Sequence, residues 1–281
     1  MEPTAQIAAI PAHLRLQRTA KNAVQRMRRA AYNGAPAAFD WRMTAFAVLA
    51  LALAASSAPY DAAVSRWAVG SGDTTVRLLA AYTDVGKSAA YLLTALAIAL
   101  WASFVSWRGK GLSGKARLAL VYSQALFAFW AIALSGILAN ILKLMFARAR
   151  PKLLDTLGAY DFFSRWGTGY DFTSFPSGHA TTMGALAAVL VLWFPRLSVL
   201  TVPACLAFAA SRVAAGAHFP SDVIAGFSLG FLFSVYLARV LARRHSVFRF
   251  RSGNFLPKLQ FSTAFSKSRS SVSALQNGQN R

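Results

Sequence analysis

FPSGHATTMGALAAVLVLW, residues 175–193, decides how this chain is read. It opens on Pro176, Ser177, Gly178 and His179, then runs apolar to Trp193. A histidine at the mouth of a bilayer-length run is uncommon, and the chain has only His13, His179, His218 and His245. Working outward, the run is one of six, at approximately 43–58, 88–105, 118–145, 180–195, 197–212 and 223–242. Apolar runs near the length needed to cross a bilayer predict transmembrane helices. The first is short, and the fourth and fifth nearly touch at Phe194, Pro195 and Arg196. The pattern predicts an all-α bundle of six spans.

Composition supports that class. The 281 residues are 56% hydrophobic, more than an ordinary soluble domain carries. Thirty Lys and Arg face nine Asp and Glu, a net charge of +21. In a soluble protein this would point to nucleic acid. Here the cations crowd the tails and one loop between apolar runs, so anionic lipid headgroups are the expected partner and nucleic acid is not. The lone cysteine, Cys205, excludes an internal disulfide.

Three regions follow. Residues 1–42 form a basic segment in which Leu16, Ala20, Val24, Met27 and Ala31 recur at helical spacing, with Arg15, Arg18, Arg26 and Arg29 on other faces. That reads either as an interfacial helix or as a disordered basic tail. Residues 1–39 are also Arg-rich and acid-poor, as a mitochondrial presequence is, but contain no serine. Residues 43–243 hold the six spans, and residues 244–281 form a basic, Ser-rich tail expected to be disordered. Twenty-one cations fall in the N-tail, the loop 106–117, the turn at Arg196 and the C-terminal stretch counted from Arg239 on; nine fall in the alternate segments. Basic loops stay cytoplasmic, which places both termini inside and His179 and His218 outside, on the periplasmic face of a bacterial inner membrane.

Three stretches meet on that outer face. In KLMFARARP, Lys143 and Arg150 are seven residues apart. A continuous helix would set them on one face about 10 Å apart along the axis, within reach of one small anion, with Pro151 ending the helix. In PSGH, Gly178 allows close backbone approach and the following helix presents free N–H groups; Ser177 could supply N–H and hydroxyl to an oxyanion. In SRVAAGAHFPSD, residues 211–222, Arg212 ends an apolar run and Asp222 follows His218 by four residues. Asp222 can fix the His218 tautomer and leave the other ring nitrogen free to attack, while Pro220 suits the first turn of a helix. Alone, each stretch has a plainer explanation: snorkelling cations, a serine N-cap, an interfacial histidine and a capping aspartate. Together they place titratable groups and cations where a membrane makes them costly, which reads as function. The set matches the needs of phosphoryl transfer, cations and N–H groups for the equatorial oxygens plus two imidazoles for nucleophile and acid.

This arrangement resembles the phosphatidic acid phosphatase type 2 superfamily, whose signature is Lys-x6-Arg-Pro, Pro-Ser-Gly-His and Ser-Arg-x5-His-x3-Asp. The chain carries Lys143, Arg150 and Pro151; Pro176, Ser177, Gly178 and His179; and Ser211, Arg212, His218 and Asp222, in that order. The resemblance implies that His218 is a nucleophile forming a phosphohistidine, that Asp222 orients it and that His179 protonates the leaving alkoxide. It implies that Lys143, Arg150, Ser177, Gly178 and Arg212 hold the phosphate, and that no metal or other cofactor is needed. The implied substrate is a lipid phosphate of the phosphatidic acid, phosphatidylglycerophosphate, undecaprenyl pyrophosphate or lipid A class. Phe162, Phe163, Trp166, Tyr170 and Phe172, in the segment 152–175, either suit a headgroup interface or pack that loop down. A phosphotransferase on the same scaffold and a non-enzymatic lipid-phosphate binder or transporter are the alternatives. The sequence is silent on oligomeric state.

Overall fold

The computed structural model describes residues 25, 30–32, 34–105, 112–163, 169–251 and 253–259. Asp40 caps the first helix, α1 (Trp41–Ser57), by accepting from the Arg42 N–H at 2.9 Å. A 3-10 turn, Ala58–Tyr60, leads into α2 (Asp61–Gly70), then α3 (Thr74–Ala81) and a second 3-10 turn, Thr83–Gly86. The main bundle follows: α4 (Ser88–Phe104), α5 (Leu112–Phe146), the short α6 (Leu154–Leu157), α7 (Gly178–Trp193), α8 (Ser198–Ala214) and α9 (Pro220–Arg243). Each of the six apolar runs coincides with one helix. Among the described residues, four stretches are long and apolar enough to cross a membrane: Trp41–Gly70, Ala116–Leu157, Pro195–Ala214 and Pro220–Arg243. Ser88–Phe104 and Gly178–Trp193 are shorter apolar helices. The first run is less short than the sequence implies, because the chain stays helical through Ala58–Tyr60 to Gly70.

The centre of the bundle is the α7–α9 pair. Gly226 and Gly230 sit one turn apart, and a Cβ on either would collide with α7 backbone, at Ser177 and at Thr181 respectively. Gly184 presses in return against the Phe227 carbonyl. Small residues let two backbones approach this closely, and in an apolar medium that contact is what associates helices. Ala180, Met183, Ala187, Cys205, Ala209, Val223 and Phe227 complete a core shared by α7, α8 and α9. The outer faces are apolar and exposed, as at Trp41, Leu49, Val199 and Leu200, which suits a lipid-facing surface. The protein is an integral membrane helix bundle.

The chain departs from the expected tail after Arg243. Residues 248–249 and 258–259 pair as a two-stranded antiparallel hairpin, β1 (Phe248–Arg249) with β2 (Lys258–Leu259). Val247 and Phe248 are buried in a core with Phe127, Val189 and Leu241. Arg239, counted above among the tail cations, is itself buried. It donates to the carbonyls of Ala37, Ala38 and Phe255, tying the segment before α1 and the hairpin to α9. The hairpin therefore packs on the bundle through Val247, Phe248, Phe250, Leu256 and Leu259, where a disordered tail was expected. The proposed interfacial helix and the remaining tail, residues 260–281, lie outside the described residues apart from Gln25 and Ala30–Tyr32.

Candidate active site

The signature residues come from helix ends that meet at one end of the bundle. Lys143 lies in the last turn of α5, Ser177 caps α7, Arg212 lies in the last turn of α8, and His218 and Asp222 flank the start of α9. Pro220 is the first residue of α9, as its fixed φ favours. The α7–α9 glycine contacts press the Ser177 end of α7 against the first turns of α9, so Ser177 donates its N–H to the Asp222 carbonyl at 3.0 Å. That N–H is committed to the fold and is not free for an oxyanion, a correction to the sequence reading. The Ser177 hydroxyl accepts from the Ala180 N–H at 3.4 Å, so its own proton remains available.

Lys143 and Arg150 do share the site, but not through a continuous helix. α5 stops at Phe146, Ala147 has φ of 42°, and Arg150 is extended. The chain turns back so that both side chains reach one carbonyl: Lys143 Nζ donates to Thr173 O at 2.5 Å, and Arg150 Nη2 to the same oxygen at 3.4 Å. Arg150 also donates to Tyr170 O at 3.0 Å and Ala217 O at 3.2 Å, and its guanidinium lies 3.8 Å from the Tyr170 ring centroid. Gly178 faces the Lys143 side chain; a Cβ there would sit 3.7 Å from Cε. Lys143 is within electrostatic reach of both His179 and His218.

His218 is buried, 2% exposed. Its Nδ1 lies 3.6 Å from Asp222 Oδ2, just beyond a hydrogen bond. Catalytic hydrogen bonds are often long before substrate binds and tighten afterwards. Burial pushes the His218 imidazole down to about 3, against the opposing pull of Asp222; Lys143 and Arg150 add to the depression. The ring is thus neutral at physiological pH, the state in which a nitrogen lone pair can attack phosphorus. Asp222 is held on both oxygens. Oδ2 accepts from Ser174 Oγ at 2.6 Å and the Phe219 N–H at 2.9 Å, and Oδ1 accepts from Arg148.

Three contributors escaped the sequence reading. Arg148 and Asp61 form buried ion pairs around Asp222. The turn Thr83–Gly86 forms one wall: Thr83 Oγ1 accepts from Arg212 Nη1 at 2.7 Å, and Gly86 lies flat on His179. A Cβ on Gly86 would come within 2.8 Å of His179 Cβ. The only sequence signal for Arg148 was its place between Lys143 and Arg150; nothing local marked Asp61 or Thr83. Among the aromatics, Phe162 packs edge-on against Phe146 and Phe175, while Phe163 and Tyr170 are exposed. Trp166 lies outside the described residues.

With this geometry in hand, the relatives are informative. The PAP2 superfamily profile matches residues 124–246, the stretch from mid-α5 to just past the end of α9. A "Lipid A 1-phosphatase" from Rhizobium johnstonii is 36% identical over 185 residues, which cover 62% of this chain and 75% of that one. The chain belongs to the PAP2 superfamily. It is a phosphatase of that class, and its three motifs all fall within the matched stretch. A second "Lipid A 1-phosphatase", from Rhizobium etli, is 36% identical over 181 residues, covering 60% of this chain and 76% of the relative. A transmembrane PAP2-type phosphatidylglycerolphosphate phosphatase from Bacillus subtilis has a solved structure that superposes with a TM-score of 0.49 at 23% identity, covering 70% of this chain and 94% of that one.

Proposed function

We propose that this PAP2 protein removes the 1-phosphate of lipid A, or of a closely similar phosphorylated glycolipid, through a phosphohistidine on His218. The observation that carries the reading is the buried, neutral His218 aimed by an Asp222 whose two oxygens are both anchored, beside Lys143, Arg150 and Arg212. The two Rhizobium relatives favour lipid A over the other lipid phosphates.

Lys143, Arg150, Arg212, the Ser177 hydroxyl and the N-terminal end of α7 hold the three non-bridging oxygens. The His218 nitrogen remote from Asp222 attacks phosphorus, and the bond from phosphorus to the sugar oxygen breaks. The negative charge of the bound phosphate, arriving beside His179, lets that imidazole carry a proton, which it gives to the departing oxygen, and Asp222 stabilises the imidazolium formed on His218. Water then attacks the phosphohistidine, losing its proton to His179, and inorganic phosphate leaves. Six spans, both termini in the cytoplasm and a site at the periplasmic face of the inner membrane complete the proposal; the charge distribution supports that orientation. The region 43–243 is the catalytic unit, and the basic tails contact anionic headgroups.

The test is phosphate release by the detergent-solubilised protein with chelator present, on lipid A bearing both sugar phosphates. The expected product lacks only the 1-phosphate, and His218→Ala yields none. Release from phosphatidic acid or undecaprenyl pyrophosphate instead would keep the chemistry and overturn the substrate. Equal activity in His218→Ala would overturn both.

A further inference from the structure

Arg148 is 1% exposed, and its guanidinium is fully committed among buried partners. Nη1 donates to Asp222 Oδ1 and to Ser221 Oγ at 2.8 Å; Nη2 donates to Asp61 Oδ2 at 2.8 Å and to Ala159 O at 2.7 Å; Nε reaches the same carbonyl at 3.2 Å. The rings of Phe219 and Phe162 lie 4.3 and 4.8 Å from its carbon. Asp61, at the start of α2, accepts from the Ser221 N–H at 3.0 Å and from its hydroxyl. Asp61 and Asp222 are both fully buried. Asp61 also lies well before the stretch that the family profile matches.

We propose that Arg148 and Asp61 are positioning residues for catalysis, a buried charge chain that fixes the Asp222 carboxylate and sets the charge felt by His218. This rests on the phosphohistidine reading above. With Oδ1 locked to Arg148, the carboxylate cannot rotate, and Oδ2 must face the His218 ring. Asp61 holds Arg148 from the far side and offsets its charge, so an arginine can lie behind the nucleophile without over-depressing its basicity. The groups facing His218 are Asp222 on α9, Lys143 on α5 and Arg150 beyond it; those facing Asp222 are His218, Ser174 and Arg148, and Asp61 on α2 faces Arg148. Ser221 sits between the carboxylates, and its hydroxyl is hydrogen-bonded in the same chain.

The sign of each change follows from charge. Removing the Arg148 cation makes protonation of the His218–Asp222 pair easier, so the acid limb of kcat/KM moves to higher pH. Removing the Asp61 anion has the opposite effect. Arg148 does not line the phosphate cradle, so kcat should fall about a hundredfold with KM little changed, the loss typical of a misaligned reacting group.

The experiment measures kcat and KM from pH 4 to 8 for full-length, detergent-solubilised parent, Arg148→Met, Arg148→Lys, Asp61→Asn and His218→Ala, with thermal midpoints alongside. The expected result is an acid limb shifted upward in Arg148→Met and not upward in Asp61→Asn. Arg148→Lys, which keeps the charge but not the fork of donors, should have the parental limb without the full kcat. Should the Met substitution fail to fold, Arg148→Lys and Asp61→Asn carry the test through the kcat-against-KM split. A rise in KM alone, or a folded Arg148→Met with parental kcat and limb, would overturn the proposal. Activity surviving in His218→Ala would instead sink the phosphohistidine reading on which it rests.

Discussion

At the scale of single residues, the site is a balance between burial and charge. His218 is neutral because its surroundings exclude water, not because a base removes its proton. Its ordinary value of 6.5 belongs to the unfolded chain, and about 3 to the folded one. Between those values the unfolded state binds the extra proton, so stability from this group is complete above about 6.5 and is lost as pH falls towards 3. The slope is at most about 1.4 kcal/mol per pH unit. The thermal midpoint in detergent should therefore fall on going from pH 7 to 4.5, and fall less in His218→Gln; an equal fall in both would show that His218 is not the buried group responsible. Gly86 makes a second prediction at this scale. Gly86→Ala places a methyl 2.8 Å from His179 Cβ, an atom that cannot swing away without moving α7. The activity should drop about 10- to 100-fold with little change in thermal midpoint. Unaltered kcat would mean that His179 has room to shift.

The elements show what the sequence carried and what it could not. All six apolar runs became helices, because a run of hydrophobic residues is a local property that needs no partner to be read, but Ser88–Phe104 and Gly178–Trp193 are shorter than the four stretches that have the length to cross a membrane. Lys143, Ser177, Arg212, His218 and Asp222 sit at or beside helix ends. The join between Lys143 and Arg150 was misread. The helical period continues past Phe146 on paper, but the chain reverses at Ala147, and Ala149 and Arg150 donate their N–H groups to the carbonyls of Asp161 and Asp171. Asp61 and Thr83 were illegible for a different reason. Their partners lie far along the chain, at Arg148, Ser221 and Arg212, and no spacing rule connects them. The α7–α9 contact was legible in hindsight from GFSLG, residues 226–230, a small-residue pair one turn apart. Gly230→Ala should push a methyl into Thr181 backbone and cost about 1–3 kcal/mol of stability. A thermal midpoint equal to the parent's would show that the two helices can part freely.

For the whole molecule, the glycine seam, the buried Arg148 pairs and the Arg239 clamp act at different levels of one bundle. Arg239 gathers residues 37–38 and the hairpin at one end of α9, and the proposed phosphate site occupies the other end. The proposed orientation rests on the distribution of the cations. In a Cys205→Ser background, a single cysteine in the C-tail should react with an impermeant thiol reagent only after the inner membrane is opened, and one in the 59–87 segment should react in intact spheroplasts. The reverse labelling would invert the topology and place the site in the cytoplasm. The central claim is that His218 carries the phosphate, and its most direct test is to quench the solubilised protein during turnover of labelled lipid A. The account predicts an acid-labile, base-stable label on the peptide containing His218, absent from His218→Ala. Turnover with no label on His218 under any quench would contradict it.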